Sequence, residues 1–147
     1  MNQVLIENTA ECDAVNENLC EKMVHWILNQ QDICDDWMVT VVFVDDAYIS
    51  RLHEKYLNIS GPTDVMSFDL SEPASPREGE IYISCETALD NAERFHVTHE
   101  NELCRLCAHG TYHLIGFDDT TPEQKQKMTD LENAALSSLY ESIYAKK

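Results

Sequence analysis

The 147 residues carry 27 acidic side chains against 10 basic ones, a formal net charge of -17. That length fits one domain with one core, and an apolar fraction of 44% is ordinary for a globular chain. No stretch is long and apolar enough to span a bilayer, and the few scattered basic residues exclude the basic stripe by which most nucleic-acid binders work unaided.

Met1 to Glu7 has no basic region and only a brief apolar run, so it does not read as a secretory signal. The chain is therefore expected in the cytoplasm. There the cysteines, Cys12, Cys20, Cys34, Cys85, Cys104 and Cys107, are expected as reduced thiols. Several fall at apolar helix positions, where a thiol behaves as a small hydrophobe.

Val4-Leu5-Ile6 predicts a short first strand. From about Ala10 to Gln30 the residues Val15, Leu19, Met23, Trp26 and Ile27 recur at helical spacing. Met38 to Val44 is β-branched and apolar, a buried strand. Asp45-Asp46 starts a short helix with Ile49, Leu52, Tyr56 and Leu57, and Asn58 to Pro62 is a loop. Val65 to Leu70 alternates as a strand does. Ser71 to Gly79, with Pro73 and Pro76, reads as a loop before a strand at Glu80 to Ile83. Ser84 or Thr87 caps a helix through Ala88, Ala92 and Phe95. A further helix runs from near Thr98 to about Leu114. Thr121 to Gln124 is a capping box with proline at the first helical position. The helix it opens carries Met128, Leu131, Ala135, Leu139 and Ile143 on one face. Together these predict an α+β fold: a small, mostly four-stranded mixed sheet covered by about five helices.

The chemistry concentrates in His109 to Asp119. His109 and His113 are four residues apart on a predicted helix, so they share a face and can hold one ion from one side. Gly116 lets the chain leave the helix and turn back. A carboxylate on that turn, Asp118 or Asp119, can close the coordination. Three protein ligands with an open position suit a catalytic metal site, whereas a structural one fills all four. At about 100° per residue, Leu103, Leu106, Cys107, Gly110 and Leu114 form one stripe, and both histidines lie roughly a quarter turn from its centre. That places them at the edge of a cleft. Two histidines on one helix face can also be simple polar neighbours; the glycine and the carboxylates at the turn weigh against that.

Cys104-Arg105-Leu106-Cys107 invites a structural zinc reading. On a continuous helix these cysteines point roughly away from the two histidines, so the four cannot meet at one ion. A redox motif would sit at a helix N-terminus, and this one is mid-helix, so core packing accounts for it. Gly110 stands where the peptidase motif H-E-x-x-H has its general base, so ordinary metalloprotease chemistry would need its base from elsewhere.

His109-Gly110, His113-Leu114, Gly116 and Asp118 resemble the signature His-Gly-x-x-His-Leu-x-Gly-Tyr-Asp-His of the YbeY family, with Phe117 in the tyrosine place. Pro62-Thr63-Asp64-Val65-Met66-Ser67-Phe68 resembles the family's Pro-Thr-Asn-Val-Leu-Ser-Phe, and Gly79-Glu80-Ile81 resembles its Gly-Asp-Ile. The resemblance covers nearly the whole chain in order. It implies a metal-dependent, single-strand-specific endoribonuclease of 16S ribosomal RNA maturation and ribosome quality control. It further implies one divalent transition metal, zinc first, with ribosomal RNA and the small ribosomal subunit or its proteins as partners.

Two departures stand out. The family's third ligand is usually histidine, and the register puts Asp119 there. Aspartate is a legitimate zinc ligand but also suits other divalent metals. Asp118 is then an alternative ligand or an outer-shell partner. Leu57 stands where many members carry an arginine that contacts the RNA backbone; Arg51 or Lys55 are candidate substitutes on the same helix. Thr63 and Ser67 are candidate contacts to a phosphate or to the metal's outer shell, set against ordinary strand and loop hydrogen bonding. His25, His53, His96 and His99 read as surface or boundary histidines, and Asp35-Asp36 and Asp45-Asp46 as turn and cap residues. The acidity predicts weak binding to free RNA and a need for a ribosomal partner. Two other readings stay open: a non-catalytic ribosome assembly factor with a structural metal, and a metal-dependent hydrolase of a peptide or small molecule.

Overall fold

The computed structural model describes residues 1–30, 33 and 35–144, with side chains through Tyr140 in that range; Cys34 and the side chain of Ile143 lie outside the described residues. β1 (Gln3–Asn8), β2 (Trp37–Val44), β3 (Val65–Asp69) and β4 (Arg77–Ser84) form one mixed sheet in the order β1-β2-β4-β3. β1 is parallel to β2 and β2 to β4, while the edge strand β3 returns antiparallel. Among the described residues five helices pack around it: α1 (Glu17–Gln30), α2 (Asp46–Leu57), α3 (Cys85–Phe95), α4 (His99–Leu114) and α5 (Pro122–Tyr144). This is the expected α+β architecture. No helix among the described residues is long and apolar enough to cross a membrane.

β2 is apolar on both faces because it is central and covered on both sides. Val39, Val41 and Phe43 enter a large core with Met23 and Ile27 of α1, Leu103 and Leu106 of α4, and Met128 and Leu139 of α5. Val42 and Val44 enter a smaller cluster on the other side, with Ile49 of α2 and Met66 of β3. Successive strand residues point to opposite faces, so one strand serves both cores.

The ends of the elements follow local chemistry. The Asp45 side chain accepts from the Tyr48 amide, Ser84 from Thr87 and Thr98 from Asn101. Ser84 is thus the cap, rather than Thr87. Thr121 Oγ1 accepts from the Gln124 amide and Gln124 Oε1 from the Thr121 amide, both at 3.1 Å, the reciprocal box the sequence predicts.

Three expectations are corrected. The first helix begins at Glu17, not near Ala10. Asn8 engages both the amide and the carbonyl of Cys12, Glu11 adopts a positive φ of 52°, and Asn16 caps the Leu19 amide. The segment before Glu17 is therefore a set of side-chain-stabilised turns. The loop beginning at Ser71 is shorter than expected, because β4 already starts at Arg77, paired with Trp37 of β2. Finally, α4 does not bury one stripe alone. Glu102, Cys104, Ala108, Thr111 and Tyr112 are buried beside the predicted stripe, because α1, α3, α5 and the sheet all pack against it.

Candidate metal centre

α4 is anchored where it carries the histidines. A Cβ added at Gly110 would stand 2.5 Å from Ile81 Cγ2 and 3.0 Å from Ser67 Oγ. Only glycine allows the helix to lie this close to β3 and β4. Ser67 Oγ donates to the Gly110 carbonyl at 3.0 Å. The position beside His109 therefore faces the sheet, and no side chain there can act as a base in the cleft.

Past Leu114 the chain turns back over the helix end. Gly116 takes a φ of 107°, a conformation that favours glycine. The Gly116 amide donates to the His113 carbonyl and the Phe117 amide to that of Tyr112, at 3.2 and 3.0 Å. The Phe117 ring packs edge-on against Tyr112, with centroids 5.7 Å apart. The capping box of α5 fixes the chain immediately beyond Asp119. Between these two anchors the Asp119 carboxylate is delivered to the histidines.

The result is a triangle of donors. His109 Nε2 and His113 Nε2 are 3.0 Å apart. Asp119 places Oδ2 3.3 Å from His109 Nε2 and Oδ1 3.6 Å from His113 Nε2. The three residues form a group able to hold a metal ion. Donors 2.0–2.1 Å from an ion at tetrahedral angles stand about 3.3 Å apart; each histidine nitrogen has one of the two Asp119 oxygens near that distance, and one donor atom from each residue lies within 4.8 Å of the others, so the residues fit such an ion. Asp118 is exposed and lies outside the group.

His109 has further partners. Glu132 of α5 is buried and accepts from His109 Nδ1 at 2.7 Å. Burial pushes the His109 imidazole down, but the hydrogen bond and charge of Glu132, with Asp119 and Asp64, outweigh it and hold the pKa above the usual range. Arg105 Nη1 donates to the other Glu132 oxygen at 3.0 Å, and its Nη2 to Asn133 at 2.7 Å. Sequence reasoning missed Glu132. The available signal was a carboxylate four residues past Met128, inside the apolar stripe of α5.

Both histidines line a groove of about 810 Å³. Thr63 and Ser67 line it, as do Leu57, His53 and Arg77. Arg51 instead lies in a separate concavity with Tyr48, Glu80 and Tyr82, and Lys55 sits over the Tyr56 ring at 5.2 Å. Neither is among the residues that line the groove beside His109 and His113. The basic side chain that does line it, Arg77, was not singled out from sequence; it stacks over Trp37 at 5.3 Å and pairs with Asp69 at 3.3 Å. His53, read as a surface histidine, bonds through Nδ1 to the Gly61 carbonyl at 3.0 Å on the groove wall.

The C-x-x-C cysteines are core residues. Cys104 and Cys107 are fully buried against Cys20 of α1. Contact with the Cys20 thiol and burial push the Cys104 thiol well up. The described cysteines are all free thiols.

Known proteins are similar to this chain over most of its length. The family described as Endoribonuclease YbeY matches residues 5–140. An endoribonuclease YbeY of Chloroherpeton thalassium is 34% identical over 137 residues, spanning 93% of this chain and 95% of its own. A Thermoanaerobacter relative of the same name is also 34% identical, spanning 92% of this chain and 96% of its own. A Thermotoga maritima protein solved in solution superposes with a TM-score of 0.69 at 25% identity, covering 98% of this chain and 93% of that one. By these matches, over a sheet and a helix–turn that bring two histidines and an aspartate together, the chain belongs to the YbeY family of endoribonucleases.

Proposed function

We propose that the chain is a metal-dependent, single-strand-specific endoribonuclease acting in the cytoplasm in 16S ribosomal RNA maturation and ribosome quality control. The observation that carries the reading is the donor group, two of whose members, His109 and His113, line an open groove. His109, His113 and Asp119 would hold one divalent transition metal, zinc first, since two imidazole nitrogens and a carboxylate oxygen are ligands zinc takes. Bound there, the ion supplies Lewis-acid polarisation of a phosphoryl oxygen and lowers the pKa of water.

The chain's own residues do the rest. Arg77 offers donors to a backbone phosphate in the groove, in place of the arginine that Leu57 replaces. The apolar wall, with Leu57 and Phe68, shelters an unstacked base. A groove of this kind takes splayed single strands more readily than a stacked duplex. Gly110 leaves no protein base beside His109, which argues against peptide hydrolysis of the H-E-x-x-H type.

One observation favours the assembly-factor alternative. A net charge of -17 with an apolar side chain at position 57 weakens binding to free RNA. Ribosomal RNA, held by the small subunit or its proteins, is accordingly the proposed substrate.

The test is cleavage of single-stranded and duplex RNA by the purified protein, before and after chelation and with metal restored. The proposal requires single-strand cleavage that disappears on chelation and returns with one equivalent of metal. A metal-loaded protein inert on free RNA and on small-subunit particles would favour the assembly-factor reading.

A further inference from the structure

We infer that Glu132, anchored by Arg105, is the positioning residue of the metal site, so that α5 belongs to the site as much as α4 does. The inference rests on the proposal that His109 ligates a metal.

A carboxylate only accepts hydrogen bonds, and a neutral imidazole carries one N–H. With Glu132 Oε2 2.7 Å from His109 Nδ1, that hydrogen belongs on Nδ1. The Nε2 lone pair is then left facing Asp119 and His113, at 3.3 and 3.0 Å. Glu132 thus selects the ring orientation and the tautomer that can coordinate, and its charge makes the imidazole a stronger donor to a cation.

Glu132 can do this because it is itself fixed. Its side chain is only 8% exposed, and a buried carboxylate needs partners on both oxygens. Arg105 holds Oε1 and His109 holds Oε2. Arg105 also reaches Asn133, a second bond from α4 to the same turn of α5. A carboxylate in the apolar stripe of α5 would otherwise be an unfavourable choice beside Met128, Ala135 and Leu139.

The experiment measures zinc and cobalt affinity by chelator competition for wild type, Glu132→Ala, Glu132→Gln and Arg105→Ala, alongside the melting temperature of each metal-free protein. Arg105→Ala breaks the same α4–α5 tie but leaves the His109 bond. Glu132→Ala should weaken metal binding by about 10- to 100-fold, as loss of an outer-shell partner does, and Arg105→Ala by clearly less, since the Glu132–His109 bond remains. Glu132→Gln keeps an acceptor without the charge and should fall between wild type and the alanine variant. Equal affinity in wild type and Glu132→Ala would overturn the inference. So would equal losses in Glu132→Ala and Arg105→Ala, the mark of a merely structural tie. Because the readout is metal affinity, a protein that binds metal yet cuts no RNA contradicts the nuclease proposal alone. A wild type that binds no metal overturns both.

Discussion

His109 and His113 rise from a helix buried on nearly every side, whereas Leu57, on the wall of the same groove, is 56% exposed at the end of α2. The histidines are fixed by Ser67, Gly110, Glu132 and the turn through Gly116. Leu57 is followed by Asn58 in a left-handed cap and then by exposed Ile59. The histidine end rests on the large core and the α2 end on the small cluster around Ile49. The metal-facing side therefore has one arrangement, while the α2 side has room to adapt to what binds. Preorganised donors matter most where charge develops, and adaptable walls suffice where a strand is merely held.

The largest effect should follow removal of a donor. His113→Ala and Asp119→Ala should each lose more than about 100-fold in metal affinity, beyond what an outer-shell loss gives, while circular dichroism shows a retained fold. If either variant unfolded instead, the end of α4 would owe its order to the ion, and the contrast with the α2 end would shrink. Gly110→Ala comes next. Its Cβ would collide with Ile81 and push α4 off the sheet, at about 1–3 kcal/mol as overpacking generally costs. Urea denaturation checks the value, and a near-neutral result would mean that the rigid end is looser than described.

Both outcomes bear on how far residues alone disclose the site. The histidine pair and the turn glycine were legible because they are local: spacing on one helix and one conformational need. Asp119 as third donor came from the family register rather than from spacing, which left Asp118 equally open. The four strands and the capping box of α5 were legible for the same local reason. Glu132 was not, because it lies 23 residues from His109 in sequence and reaches it only through the packing of two helices. Arg77 was not, because whether it falls in a loop or a strand depends on pairing with Trp37. The start of α1 was misread since Asn8 and Asn16 redirect the backbone by side-chain bonds that periodicity does not register.

Changes of charge on the groove wall give smaller effects. Arg77→Ala should weaken RNA binding several-fold and lower the slope of affinity against salt by about 1. Leu57→Arg should do the reverse, raising affinity and adding about 1 to the slope. Filter binding over a salt series reads both. If Arg77→Ala is silent and Lys55→Ala is not, RNA follows the outer face of α2 rather than the groove.

The smallest effect concerns Glu102, buried in α4 and bonded to Asn91 at 3.3 Å. Burial raises its pKa, with Asp64 and Glu132 adding to the rise against Asn91 and Arg105. A raised folded pKa gives stability that is full below the unfolded value and lost as pH rises through the folded one. Wild type should therefore lose stability over that upward interval, and Glu102→Gln should flatten the loss. Urea midpoints from about pH 4 to pH 8 test it, and parallel profiles for the two proteins would contradict it.

The most direct measurement is metal stoichiometry by native mass spectrometry, paired with single-stranded RNA cleavage, for wild type and Asp119→Ala. The account predicts one ion per wild-type chain, none on the variant, and cleavage only where the ion is held. Undiminished cleavage by the metal-free variant would contradict it.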